Sequence, residues 1–350
     1  MSLASKASVP VQPDLEPAAE LAPGTAGATI AGPRGPRSSR GGGRPPAIAP
    51  AGARRRGRVG LPLALLVPST VVLAVVIGWP LIQLVIQSFQ QYGRAQVFGA
   101  PAPFIGFQNY VNVLTDPKFW NVLGRSVLFC IVCVVITIVV GTLVALLMQR
   151  LNKGFRTLLS IGLLLAWAMP PLSATFVWGW VFDTQYGVAN YLLTQVTGTN
   201  WMGHSWLISP VGFFFVAGVI VVWGAIPFVA FTVYAGLTQV PGEVLEASQL
   251  DGAGALQRFR LIVLPYLRSI FLVLIVLSTI WDLRVFAQIQ ALQAIGGSIA
   301  DTSTIGVYIY QTSLANGEYG TGGAIAVILV LILMAVSFVY IRQSLKEDEA

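Results

Sequence analysis

The chain reads as an all-α polytopic membrane protein with six transmembrane helices, and three observations point there. It is 55% hydrophobic and only 10% charged, whereas soluble domains carry about 25% charged residues. Its mean hydropathy is +0.74. Six apolar runs approach the roughly 20 residues a helix needs to cross the hydrocarbon layer.

Residues 1–58 are rich in Ala, Gly, Pro, Arg and Ser. They bury too little apolar surface to offset the entropy of ordering, so a disordered basic tail is expected. The tail ends in Arg54, Arg55, Arg56 and Arg58, directly before an apolar run at 61–85. That run is longer than a signal-peptide core and no small-residue cleavage site follows it, so it reads as a first membrane helix. Five more runs lie at about 122–148, 157–182, 211–236, 266–283 and 322–341. Together they define a six-helix transmembrane domain over 59–350. Pro170 and Pro171 interrupt the third run and Pro227 the fourth, which is tolerated where freed backbone groups find protein or water partners.

Basic residues set the orientation. With the tail inside, the same side receives Arg150, Lys153 and Arg156, then Arg258, Arg260 and Arg268, then Arg342 and Lys346. The other side holds Arg94, Lys118, Arg125 and Arg284. Both termini are therefore expected in the cytoplasm. The net charge of +7 does not indicate nucleic acid, because the basic residues are not interleaved with stacking aromatics. The basic tail has the charge to attract anionic membrane lipid, though orienting the chain is role enough for it.

Catalytic chemistry is not in view. Cys130 and Cys133 form a C-x-x-C inside an apolar run, without the polar access or further ligands that redox or metal sites require. His204, the sole histidine, has no second ligand nearby. No G-x-x-x-x-G-K-[ST] occurs, so phosphates cannot be cradled in the P-loop manner. No catalytic residue and no metal ligand is assigned, and no cofactor is expected on this chain.

Residues 241–265, between the fourth and fifth runs, carry the strongest pattern. Glu243 to Leu250 favours a short helix, with Pro241 at its start and acids near its positive end. Gly252 and Gly254 permit a sharp turn. Beyond it Leu256, Phe259, Ile262 and Val263 recur at helical spacing. Two short helices joined by a glycine elbow make a knob whose apolar side needs a partner.

Glu246-Ala247-Ser248, Gly252 and Ile262-x-Leu264-Pro265 stand at the spacing E-A-A-x3-G-x9-I-x-L-P. This resembles the EAA loop of binding-protein-dependent ABC importer permeases, with Ser248 replacing the second Ala. Further resemblance to sugar permeases of the maltose type runs through Phe104–Tyr110 with Asp116–Trp120, Trp178–Asp183 with Gly187 and Asn190, and Gly296-Gly297 with Thr302–Tyr310. Ser298 stands where that family has Pro.

The resemblance implies a type I permease fold and a transport subunit, not an enzyme, forming half of a pathway for a di- or oligosaccharide. It implies a location in a bacterial cytoplasmic (inner) membrane, a second, homologous permease subunit and an extracytoplasmic sugar-binding protein. It further implies a cytoplasmic ATPase dimer that uses ATP and Mg. Glu246, Ala247, Ser248, Asp251 and Gly252 would couple to that ATPase, and Ile262, Leu264 and Pro265 would anchor the second helix into the fifth span. An ABC permease for another solute, such as glycerol phosphate, shares these signals. An ion-driven secondary transporter needs buried charges that the spans mostly lack.

Sugar sites stack rings on aromatics, which directs attention to Trp178, Trp180, Trp223 and Trp281, although tryptophans also gather at membrane interfaces. Asp282 is either a helix-end residue at the outer surface or a carboxylate facing a cavity. Gly141-x-x-x-Ala145 and Gly218 offer close helix approach.

Overall fold

The computed structural model of the protein describes residues 60–348, so the tail expected at 1–58 lies outside the described residues. Among these residues the structure is helical, with one isolated bridge between Gln90 and Phe104. Helix α1 covers 60–88 and contains one π-helical turn at Ala74–Gly78. After a loop and the short α2, Gln108–Thr115, comes α3, Pro117–Arg150. Its start is fixed by Asp116, whose carboxylate accepts from the Lys118 N–H at 2.8 Å, and by Pro117 at the first helical position. At 34 residues α3 is about 51 Å long, so it projects beyond a hydrocarbon core of about 30 Å.

The third apolar run departs from the expected single span. It forms α4, Lys153–Ala168, and α5, Pro171–Val181, which meet at a 105° bend. The cause is the double proline. Each proline pushes its predecessor toward extended backbone, and Met169 (φ −71°, ψ 126°) and Pro170 (φ −58°, ψ 136°) are both extended. The single Pro227 behaves differently. After α6, Val188–Thr197, helix α7 runs unbroken from Pro210 to Leu237 through a buried Pro227, so the expected interruption there does not occur. One proline removes one N–H and leaves its neighbours helical, and packing supports the rest.

The knob follows as α8, Gly242–Leu250, and α9, Ala255–Tyr266. Helix α9 turns by 77° into α10, Arg268–Leu283, so the fifth run is the second arm of a bent pair. Then come α11, Ala287–Ile295, α12 over 305–315, and α13, Tyr319–Asp348. Four helices, α1, α3, α7 and α13, are individually long and apolar enough to cross a membrane. The expected six spans are reached when each bent pair is counted as one.

Close backbone approach holds α3 to α7. A Cβ placed on Gly141 would lie 2.6 Å from a Val229 methyl, and Ala145 is fully buried beside it. Gly218 is not such a position, since its Cβ would meet Phe129 at an ordinary 3.8 Å. Lipid gives helices no hydrophobic reason to associate, so this fit carries the packing. A similar approach seats α10 on the end of α7, where a Cβ on Gly236 would lie 2.6 Å from Ile270 Cδ1 and 2.8 Å from Leu267 Cδ2. Gly141→Val is expected to destabilise the bundle by about 1–3 kcal/mol, read as a lowered thermal midpoint in detergent. Gly218→Ala should leave that midpoint unchanged.

Candidate functional site

The knob is built from local rules. Pro241 precedes the first turn of α8, and Glu243 lies in that turn, where the helix dipole favours an acid. At the other end the Gly252 N–H donates to the Gln249 carbonyl (3.0 Å) and the Ala253 N–H to the Ser248 carbonyl (2.9 Å). This is a Schellman motif with Gly252 at its left-handed position, φ +79°. Gly254 takes an ordinary φ of −67° and starts α9. The elbow therefore requires one glycine, not two. Ser248 satisfies its hydroxyl internally by donating to the Leu245 carbonyl at 2.7 Å.

The knob has two faces. Leu245, Phe259, Val263 and Leu267 pack against Ala145 of α3, Val229, Val233 and Leu237 of α7, and Phe271 and Leu274 of α10. Val263 and Leu267 are buried, whereas Leu264 and Pro265 are exposed and Ile262 is half-buried. Seating of the second helix thus rests on Val263 and Leu267 and not on the anchors expected from the sequence. On the opposite face Leu250 and Leu256, 90% and 80% exposed, flank the elbow. Glu246, Ala247 and Asp251 are exposed around them.

The membrane part contains two cavities of note. The larger, about 830 Å³, is almost wholly apolar and lies between α3 and α7, with Phe129, Phe214, Val222 and Trp178 in its wall. The second, about 480 Å³, opens at the α4–α5 break. Trp167, Met169 and Pro171 line it from the break, Trp223 and Gly224 from α7, and Trp281, Asp282, Arg284 and Gln288 from α10 and beyond. Trp223 belongs to both walls, and its ring meets Trp178 edge-on at 5.8 Å.

Trp281 and Asp282 therefore share a cavity, while Trp178 lines the other one and touches Trp223, which lines both. Trp180 is 81% exposed and lies in neither of these two walls. It faces a separate recess with Tyr186 and Asp183. The backbone N–H groups of Tyr186 and Gln185, each at 2.8 Å, hold the Asp183 carboxyl below the usual carboxylate range. Asp282 is not a surface residue. It is 7% exposed, and among the described residues its Oδ2 has no hydrogen-bond partner. Trp281 meets Phe228 at 5.0 Å.

Reasoning from the sequence missed Trp167, Gly224 and Gln288. The signal available was Pro170-Pro171, because non-helical backbone at membrane depth has to line protein or a wet cavity. Cys130 and Cys133 are buried free thiols, and the described residues hold no group of three metal-ligating side chains. His204 stands edge-on to Trp201 and Trp206, at 5.2 and 5.0 Å.

Comparison with known proteins matches residues 138–347 to the family model described as binding-protein-dependent transport system inner membrane component. The chain is 40% identical over 299 residues to the diacetylchitobiose uptake system permease protein DasB of Streptomyces coelicolor, covering 85% of this chain and 91% of that one. It is 33% identical to the sulfoquinovosyl glycerol transport system permease protein SmoG of Agrobacterium fabrum, covering 81% and 89%. A crystal structure of a bacterial ABC transporter that imports the acidic polysaccharide alginate shares the fold. Its TM-score is 0.67 at 21% identity, over 81% of this chain and 96% of that one.

The elbow makes a direct prediction. Nothing lies within 4 Å of a Cβ on Gly252, so Gly252→Ala would meet only the backbone penalty of about 1–2 kcal/mol. Faster hydrogen exchange across 242–266 is expected for Gly252→Ala, and no change for Gly254→Ala.

Proposed function

The chain belongs to the family of binding-protein-dependent transport system inner membrane components, and on that footing we propose that it forms half of the pathway of an ATP-driven sugar importer. It is a transport subunit, and it makes no catalytic contribution of its own. The observation that carries the sugar reading is the 480 Å³ cavity at the α4–α5 break. Three indoles there supply flat apolar faces, and Asp282, Gln288 and Arg284 supply polar groups, the combination a pyranose ring with its hydroxyls requires. The volume is within the range of small-ligand sites. The carbohydrate named for DasB supports the same substrate class.

The knob is the contact to the motor in this reading. Leu250 and Leu256 supply the apolar part of the contact, with Glu246, Ala247 and Asp251 beside them. Gly252 holds the two helices in one shape. The motor is a separate ATPase dimer that consumes ATP with Mg. A second, homologous permease completes the pathway, and an extracytoplasmic binding protein delivers the sugar. The knob and both termini face the cytoplasm, as the basic residues favour.

Helix α7 is the transmission. Its segment under the knob centres on Val233, and its cavity wall is Trp223, ten residues and about 15 Å apart on one helix. A tilt of the knob is thereby carried to the cavity without passing through a loop.

Reconstitution in proteoliposomes with both permeases, the ATPase and the binding protein tests this. Sugar-loaded binding protein should stimulate ATP hydrolysis. Leu250→Asp with Leu256→Asp should cost the ATPase its place in the purified complex, while the permease still inserts. Trp281→Ala should retain the ATPase and lose sugar uptake. Uptake by this chain alone, without ATP, would overturn the assignment.

A further inference from the structure

Helix α4 is a rod between two joints. At its start Leu151 (φ −74°, ψ 142°) and Asn152 (φ −63°, ψ 165°) are extended, and at its end Met169 and Pro170 are extended too. No residue of α4 is buried. Half-buried Arg156, Leu159, Leu163 and Ala166 recur at helical spacing and make one stripe, and the helix lies along α7. Lipid supplies no hydrophobic pressure to hold so thin a contact.

Arg156 fastens it. Its Nη1 donates to the Tyr234 hydroxyl of α7 at 2.5 Å, and the guanidinium carbon lies 6.0 Å from the centre of that ring. Thr157 and Ser160, by contrast, bond back to carbonyls of their own helix. Local rules do not favour a cation here. Lys153 and Arg156 stand in the first turn of α4, which holds no acid, where the helix dipole opposes positive charge. Topology asks for basic residues at this end, and Arg150 and Lys153 satisfy it without either having to reach α7. A local rule broken with a tertiary partner in place points to a side chain kept for that partner.

Tyr234 stands at a junction. It packs on the cluster in which Leu245 and Phe259 of the knob meet Val233 and Leu237 of α7. Eleven residues on from Arg156, about 17 Å along α4, Trp167 lines the cavity at the break together with Met169. One end of α4 is thus tied where the knob seats, and the other end lines the cavity that Trp223 of α7 lines as well.

We propose that Arg156–Tyr234 is a coupling tie: it makes α4 move with α7, so that both of these cavity walls follow the knob together. Arg156 and Tyr234 touch no cargo and are positioning residues. This rests on the reading of the knob as the motor contact and of the cavity as part of the sugar pathway. Without the tie α7 still tilts, but α4 lags at its joints. The cavity then opens incompletely, and ATP is hydrolysed in cycles that move no sugar.

The test uses the complete complex in proteoliposomes, with both permeases, the ATPase and the binding protein. The probes are N,N′-diacetylchitobiose and maltose, and the quantity measured is ATP hydrolysed per sugar taken up. Tyr234→Phe keeps the ring and removes the acceptor, whereas Arg156→Met keeps an apolar stem and removes the donor. Each should raise ATP per sugar at least about threefold, with stimulation of the ATPase by binding protein and the thermal midpoint of the complex unchanged. The double variant should be no worse than the worse single one, because both remove the same bond. Arg156→Lys, which retains the charge and a donor, should return the ratio toward the wild-type value.

An unchanged ratio in both single variants, while the wild type imports a probe, sinks the tie and leaves the pathway reading intact. A lowered thermal midpoint with an unchanged ratio sinks it too, since that is the mark of a contact that only holds the fold. Single effects that multiply in the double variant would show two independent residues and no tie. Absence of ATP-dependent import of either probe by the wild type would remove the pathway reading and the tie together.

Discussion

Lipid tails are as apolar as leucine, so helices inside a bilayer gain nothing from hiding their side chains from one another. What holds α3 against α7 is the fit of Val229 onto Gly141, where no Cβ could stand. Ala145 closes the same seam. Every functional element hangs on this pair. The larger cavity lies between the two helices, the cavity at the α4–α5 break takes one wall from α7, and the knob rests on the ends of both.

The two bends share a logic. Each places non-helical backbone where a continuous span would have none, and each borders a part to which the proposed function assigns a role. At Met169–Pro170 the chain opens a cavity. At Leu267 it turns from the knob into the membrane, and the Leu267 side chain is buried against Gly236 and its neighbours on α7 and α10. The bundle is thus interrupted at the cavity and at the knob, while α7, which links them, stays whole through Pro227. A rigid connector between two irregular ends is what a transmitted tilt requires, because a break in the connector would absorb it.

The knob was largely legible in the sequence because its rules are local. Proline at a helix start, acids in the first turn and glycine at a left-handed C-terminus are each decided by a few neighbours. Gly252 was therefore readable, and so were the two short helices. Which apolar residues face inward was not: Val263 and Leu267 do, and Leu264 does not. Helical spacing gives a face, but only the position of α7 says which face is covered.

The apolar runs and the basic residues determined by themselves a polytopic helical membrane protein, because hydrocarbon thickness and backbone hydrogen bonding leave few alternatives, and the spacing from Glu246 to Pro265 carried the resemblance to its family. Tertiary structure alone decided that Trp281 and Asp282 share a cavity with Trp167 and Gln288 while Trp178 lines another, and that Asp282 is enclosed rather than at the surface. These residues come from helices more than a hundred positions apart in sequence. Their meeting depends on the 105° bend, which Pro170-Pro171 sets locally, and on the close α3–α7 seam, which no single stretch of sequence encodes.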